Sequence, residues 1–216
     1  MIKLTKEGEP AVLKDNKKDW TDKLLQHIAN NEKVPKSLES SYNKDDVKEA
    51  LRRECNGKCM YCESTVNHIT FEHIEHIKPK AKTKFPELTF EYSNLGLACP
   101  KCNMNKSDTY DTIIPFINPY TDQPENHFTA YGAYIWAKSG DDRAKLTELE
   151  IELNRPELLE KRGERMKAIK ELVDNYNTTP DGPLKNALLK EIKIEISKEK
   201  EYSFCLTELT NILINN

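Results

Sequence analysis

Two Cys-x-x-Cys pairs, Cys59-Met-Tyr-Cys62 and Cys99-Pro-Lys-Cys102, frame the part of this chain that is equipped for chemistry. Four thiolates in that pattern are the donor set of one tetrahedral zinc ion. With all four positions filled by protein, such an ion has no open site and is structural. Between the pairs runs Phe71-Glu-His-Ile-Glu-His-Ile-Lys-Pro79, which crowds His73, Glu75 and His76 onto one short segment, and Asn103 follows the last cysteine directly. These residue types suit phosphodiester hydrolysis. An imidazole with an ordinary pKa near 6.5 takes a proton from water at neutral pH and returns it afterwards. A carboxylate and an amide oxygen are hard ligands for Mg²⁺ or Mn²⁺ that leave most coordination positions to water and substrate.

The rest of the chain bounds what can carry this chemistry. Its 216 residues suffice for one well-packed domain, or for a small one with helical extensions. Hydrophobic content of 37% against 32% charged implies much solvated helix surface. No apolar run is long enough to cross a membrane and Met1-Ile-Lys-Leu-Thr-Lys6 lacks a signal-peptide core, so the expected location is the cytoplasm. In a reducing compartment six cysteines favour metal ligation over disulfides. Cys55 and Cys205, outside the pairs, read as packed core thiols. A net charge of −3 does not advertise a nucleic-acid partner, but the distribution does. His76 to Lys84 contains no acid, and Lys78, Lys80, Lys82, Lys101 and Lys106 are the expected phosphate contacts.

Several elements must position these groups. Residues 1–16 read as an extended arm, and Trp20, Leu24 and Ile28 as the stripe of a helix from Lys17 to about Asn30. After a connector over 34–43, a second helix capped by Asn43 or Asp45 buries Val47, Ala50 and Leu51. It stops at Asn56-Gly57 and delivers Cys59. Residues 65–77 read as two strands turning at Asn67-His68. On a strand His73 and Glu75 share one face while His76 takes the other, unless the chain leaves the sheet between Glu75 and His76. An irregular loop is expected from Ser93 or Asn94, then a short helix over Pro100–Lys106. Residues 113–128, with three prolines, form a strap. Strands are expected over Tyr131–Trp136 and Leu149–Leu153 with a turn at 140–142, then helices from Pro156 to about Asn175, Leu184–Lys200 and Phe204–Leu213.

With its four cysteines, the stretch resembles the zinc-bearing form of the HNH, or ββα-metal, nucleases. Glu75-His76-Ile-Lys-Pro79 is similar to the family's first motif, Asn94-Leu-Gly-Leu-Ala-Cys99 to the segment with its central Asn, and Cys102-Asn103-Met-Asn-Lys106 to its last helix. The resemblance implies that His76 is the general base, that Glu75 and Asn103 bind the divalent metal, and that Asn94 braces the loop behind His76. Glu75 stands where Asp is commoner. His73 is left open between a further metal ligand and a residue that orients Glu75. The expected fold class is α+β: a ββα core at 55–112 with a structural Cys₄ zinc, preceded by an arm and two helices at 1–54. A strap, short strands and a mainly helical partner-binding region follow at 113–216.

A narrower resemblance runs through Ile2-Lys-Leu4, Phe116-Ile-Asn-Pro119 and Leu153-Asn-Arg-Pro-Glu-Leu-Leu159. These segments are similar to the PtuB-type HNH subunits of Septu anti-phage systems, which also occur in certain retrons. That implies a nuclease working beside an ABC-type, PtuA-like ATPase, in a retron also beside a reverse transcriptase with its RNA and DNA. The alternatives are a stand-alone restriction endonuclease for modified DNA and a non-catalytic zinc-ribbon adaptor.

Overall fold

The computed structural model of the chain describes residues 1–66 and 72–214, so the turn expected at Asn67-His68 lies outside the described residues. The chain divides into two units, one of residues 4–60 and 66–115, the other of residues 1–3, 61–65 and 116–216.

In the first unit, helix α1 (Ala11–Ala29) starts at Ala11 and not at Lys17 as the Trp20 stripe indicates. Leu13 is fully buried about three turns before Leu24, so the apolar face continues towards the N-terminus, and the arm ends at Pro10. Leu24, Val34 and Phe90 form a small core against which Trp20 and Ile28 pack, with the Trp20 and Phe90 rings edge to face at 5.6 Å. The connector contains one short helix, α2 (Lys36–Glu39). Helix α3 (Asp45–Cys55) buries Val47, Ala50 and Leu51 and ends at Asn56 with φ 53°, followed by Gly57 with φ 69°. Gly57 N donates to Arg52 O at 2.8 Å, closing the helix before Cys59. Its start differs from expectation, because neither Asn43 nor Asp45 provides a side-chain cap.

Among the described residues strand β1 (His73–His76) has one strand partner, and it is not near Thr65. It pairs antiparallel with β2 (Leu95–Ala98), His73 opposite Ala98 and His76 opposite Leu95. The segment after Asn94 is therefore a strand, not a loop. All four of its residues are buried, so it has no polar alternation to betray it. From β2 the chain runs into Cys99 and helix α4 (Pro100–Lys106), completing strand, strand, helix. The arm braces β2: Lys6 Nζ donates to Leu95 O at 2.6 Å and lies 3.1 Å from Glu54 Oε2, and Tyr92 OH donates to Glu54 Oε1 at 2.6 Å.

In the second unit the strap leads through α5 (Pro124–His127) into a hairpin of β3 (Phe128–Tyr131) and β4 (Tyr134–Ala137). Gly132, with φ 57°, folds the expected single strand at 131–136 back on itself. Tyr131, Tyr134 and Trp136 are exposed, the last two stacked at 5.3 Å. Leu149–Leu153 is no strand but the end of α6 (Asp142–Glu150) and its exit turn. Asp141 caps that helix, its Oδ1 accepting from Ala144 N at 2.9 Å. Helices α7 (Pro156–Thr178), α8 (Pro183–Glu195) and α9 (Ser203–Ile214) pack around Ile169, Val173, Ile192 and Leu206. Helix α8 stops at Glu195, short of the expected Lys200. Among the described residues no helix is long and apolar enough to cross a membrane.

Candidate active site and four-cysteine cluster

The donor sulfurs of Cys59, Cys62, Cys99 and Cys102 all lie within 4.8 Å of one another. Four sulfurs around zinc at Zn–S of about 2.3 Å stand about 3.8 Å apart, so both donor chemistry and spacing fit one such ion. Backbone geometry builds the cluster. Met60 N donates to Leu97 O at 2.8 Å, pinning the first pair to β2, while Cys99 caps α4 with its sulfur accepting from Cys102 N at 3.4 Å. Cys55 and Cys205 stay outside, as the sequence indicates. Burial pushes each of their thiols up to about 11, which keeps them protonated and poor metal ligands.

Glu75, His76 and Asn103 line one cleft of about 380 Å³, with Tyr42, Lys80 and Met104. The sequence leaves the opposed faces of Glu75 and His76 to be resolved by an exit from the sheet, but His76 stays in the ladder. It is the last residue of β1, and there both residues line the cleft. His76 Nε2 lies 3.0 Å from Thr89 O and donates to it, and the Tyr42 ring meets the imidazole edge to face at 4.6 Å. With Nε2 holding the proton, Nδ1 carries the lone pair. Burial, helped by the charges of Lys80 and Lys106, pulls the His76 pKa down to about 4, so the ring is neutral at physiological pH.

Two pairs tie β1 to α4. Asn103 Nδ2 donates to His73 Nδ1 at 3.0 Å, so His73 orients Asn103. Lys106 Nζ lies 2.6 Å from Glu75 Oε1 and donates to His76 O at 2.9 Å. At 1% exposure Lys106 is no phosphate contact, which corrects the expectation. The signal for this was its spacing: four positions after Cys102 on a helix, it shares the buried face. Lys78, Lys82 and Lys101 are exposed and Lys80 half-buried. Asn94 is buried behind the β1 exit, accepting from Lys78 N at 2.8 Å and donating to Lys78 O and Leu88 O at 2.9 and 3.2 Å.

Cys99→Ser or Cys102→Ser should remove one tightly held zinc per chain and lower thermal stability, whereas Cys55→Ala and Cys205→Ala should keep the metal. Elemental analysis with thermal melts checks this, and a preparation holding two zinc ions, or losing zinc with Cys55, contradicts it. Lys106→Met leaves the Glu75 carboxylate buried without its cation and should cost roughly 3–5 kcal/mol in denaturant unfolding, more than a surface lysine can.

Comparison with known proteins agrees with this geometry. Residues 59–109 match the family model described as HNH endonuclease. The chain is 27% identical to the Septu protein PtuB of Bacillus thuringiensis over 100% of its own length and 83% of that protein's. It is 28% identical to the Septu protein PtuB of Bacillus mycoides, over 82% of this chain and 72% of that one. A protein described as an HNH endonuclease of retron Vc95 from Vibrio cholerae is 26% identical over 70% of this chain and 74% of its own. Strand, strand and helix carrying Glu75, His76 and Asn103 beside a four-cysteine cluster thus make residues 59–109 an HNH endonuclease domain.

Proposed function

We propose that this chain is a metal-dependent HNH endonuclease that hydrolyses nucleic-acid phosphodiester bonds as the cytoplasmic effector of an anti-phage defence system, beside an ABC-type ATPase subunit. The observation that carries the catalytic part is the shared cleft of Glu75, Asn103 and a neutral His76. His76 acts as general base. Its Nε2–H is held by Thr89 O, which fixes the ring and leaves Nδ1 to take a proton from water. Depression of its pKa makes it a weak base that is fully available, and the proton it takes is readily given up to the leaving oxygen. Glu75 and Asn103, both lining that cleft, offer hard oxygen donors and would hold Mg²⁺ or Mn²⁺, which would supply charge neutralisation at the phosphate and the departing 3′ oxygen. Lys106 pairs with the Glu75 carboxylate and holds its orientation, and His73 fixes the Asn103 amide. Asn94 braces the exit of β1, where Lys78, Lys80 and Lys82 with Lys101 meet phosphates as point charges.

His76→Ala should lower cleavage by about 10²- to 10⁴-fold while the protein stays folded and keeps its zinc. Gel assays on labelled DNA and RNA with Mg²⁺ or Mn²⁺ check this. Near-normal turnover would move the base to another residue.

Support for the partner comes from the similarity to Septu proteins and from the hairpin, which exposes Tyr131, Tyr134 and Trp136, residue types enriched at protein interfaces. The C-terminal helices and this hairpin form the docking unit, and in a retron the assembly includes the reverse transcriptase with its nucleic acid. The full-length chain should co-purify with the ATPase encoded beside it, and Tyr134→Ser/Trp136→Ser should abolish the association. Retention at full stoichiometry places the docking surface elsewhere.

A further inference from the structure

Beside the catalytic cleft the first unit has a second cavity, of about 360 Å³, that the chemistry above does not use. Its floor is apolar: Leu24, Ile28 and Val34, the outer side of the small core under α1 and α2. Its rim carries Lys33, Lys36, Lys80 and Lys82. Two acids, Glu39 and Asp108, share the lining, and Glu39 Oε1 stands 3.8 Å from Lys80 Nζ. Lys33, Lys36 and Lys82 are exposed, with no ion pair among the described residues. The cavity adjoins the catalytic cleft: Lys80 and Asp108 line both, and Thr89, whose carbonyl holds His76, lines this one.

We propose that this groove takes an unpaired nucleotide flanking the scissile phosphate, so that the enzyme acts on single-stranded or looped nucleic acid in preference to a flush duplex. The inference rests on the nuclease reading and adds the class of substrate. The argument is one of matched surfaces. An apolar floor ringed by ammonium groups suits a ligand with an apolar face and anionic edges. A nucleotide qualifies, but only when its base is out of the stack, since a paired base offers its edges and hides its faces. An unstacked base can lie on Leu24, Ile28 and Val34 while its phosphates meet Lys33 and Lys36 on one side and Lys80 and Lys82 towards His76. The groove has no set of side-chain amides to read base edges, which favours recognition by strandedness over sequence.

The test is fluorescence anisotropy of the chain in buffer with no added Mg²⁺ or Mn²⁺ and no chelator, so that the zinc stays in place, with DNA and RNA versions of three labelled probes: a single strand, a flush duplex, and the duplex with one bulged nucleotide. Single-stranded and bulged probes should bind at least about fivefold more tightly than the flush duplex, and an abasic bulge should lose that advantage. Lys33→Ala/Lys36→Ala should reduce the slope of log K against log salt for the single strand by about 1.4, at roughly 0.7 per phosphate contact. Equal binding of the flush duplex, an unchanged slope, or no binding of any probe overturns the proposal. His76→Ala separates the two readings. If this variant still cuts but the probes are discriminated as expected, the catalytic assignment fails and the groove stands; if cleavage is lost without discrimination between probes, the groove alone fails.

Discussion

A buried ammonium governs the geometry of the nuclease unit. Lys106 and Glu75 are both withdrawn from water, a step that costs several kcal/mol per ion unless the pair is close and its remaining hydrogen bonds are made. Both conditions hold, with Glu75 Oε1 at 2.6 Å and His76 O taking a further N–H. The result is a rigid joint between the last turn of α4 and the end of β1. The first turn of the same helix is fixed by Cys99 and Cys102 in the four-cysteine cluster. Gripped at both ends, α4 has little freedom to shift Asn103, which lies between the two grips. The position of Asn103 thus derives from the four-cysteine cluster at one end of the helix and a buried charge pair at the other.

Burial has a second effect on the same strand. The protein surroundings that make the Lys106–Glu75 pair tight also withhold solvation from a charged imidazole at His76, and the two nearby lysines disfavour it further. A histidine on an open surface would be partly protonated in mildly acidic conditions. This one is held in its unprotonated form, and Thr89 O decides which nitrogen is bare. Charge on the protein is thus arranged by position and not by total: an acidic chain overall, with exposed lysines on the loop after His76 and a lysine hidden behind it.

What the sequence makes legible is whatever a side chain states locally. Two cysteine pairs specify one four-sulfur cluster, Asn56-Gly57 a helix stop, Pro100 a helix start and Pro156 another, and each holds in the structure. What it conceals is decided by tertiary partners. Strand β2 is four buried apolar residues with no period, so only its pairing with β1 defines it. Leu149–Leu153 alternates like a strand, yet Asp141 upstream caps a helix and local alternation loses. Lys106 has the composition of a phosphate-binding surface residue and the position of a core one, and position wins because Glu75 awaits it. The cleft itself needs Tyr42 and Thr89, residues far from the motif whose chemistry gives no hint of the site.

Strand β2 has one more consequence, for how genes of this kind can drift in length. Asn94 stands immediately before it and Cys99 immediately after, the one locked by three amide hydrogen bonds and the other committed to the cluster. Inserting or deleting a single codon between them would turn the side chains on one side of the change to the opposite face and pull either the bracing amide or the thiolate out of place. No neighbouring slack can absorb the change, since α4 begins at the next residue. Viable length variants should therefore fall in loops such as residues 77–85 and spare 94–103.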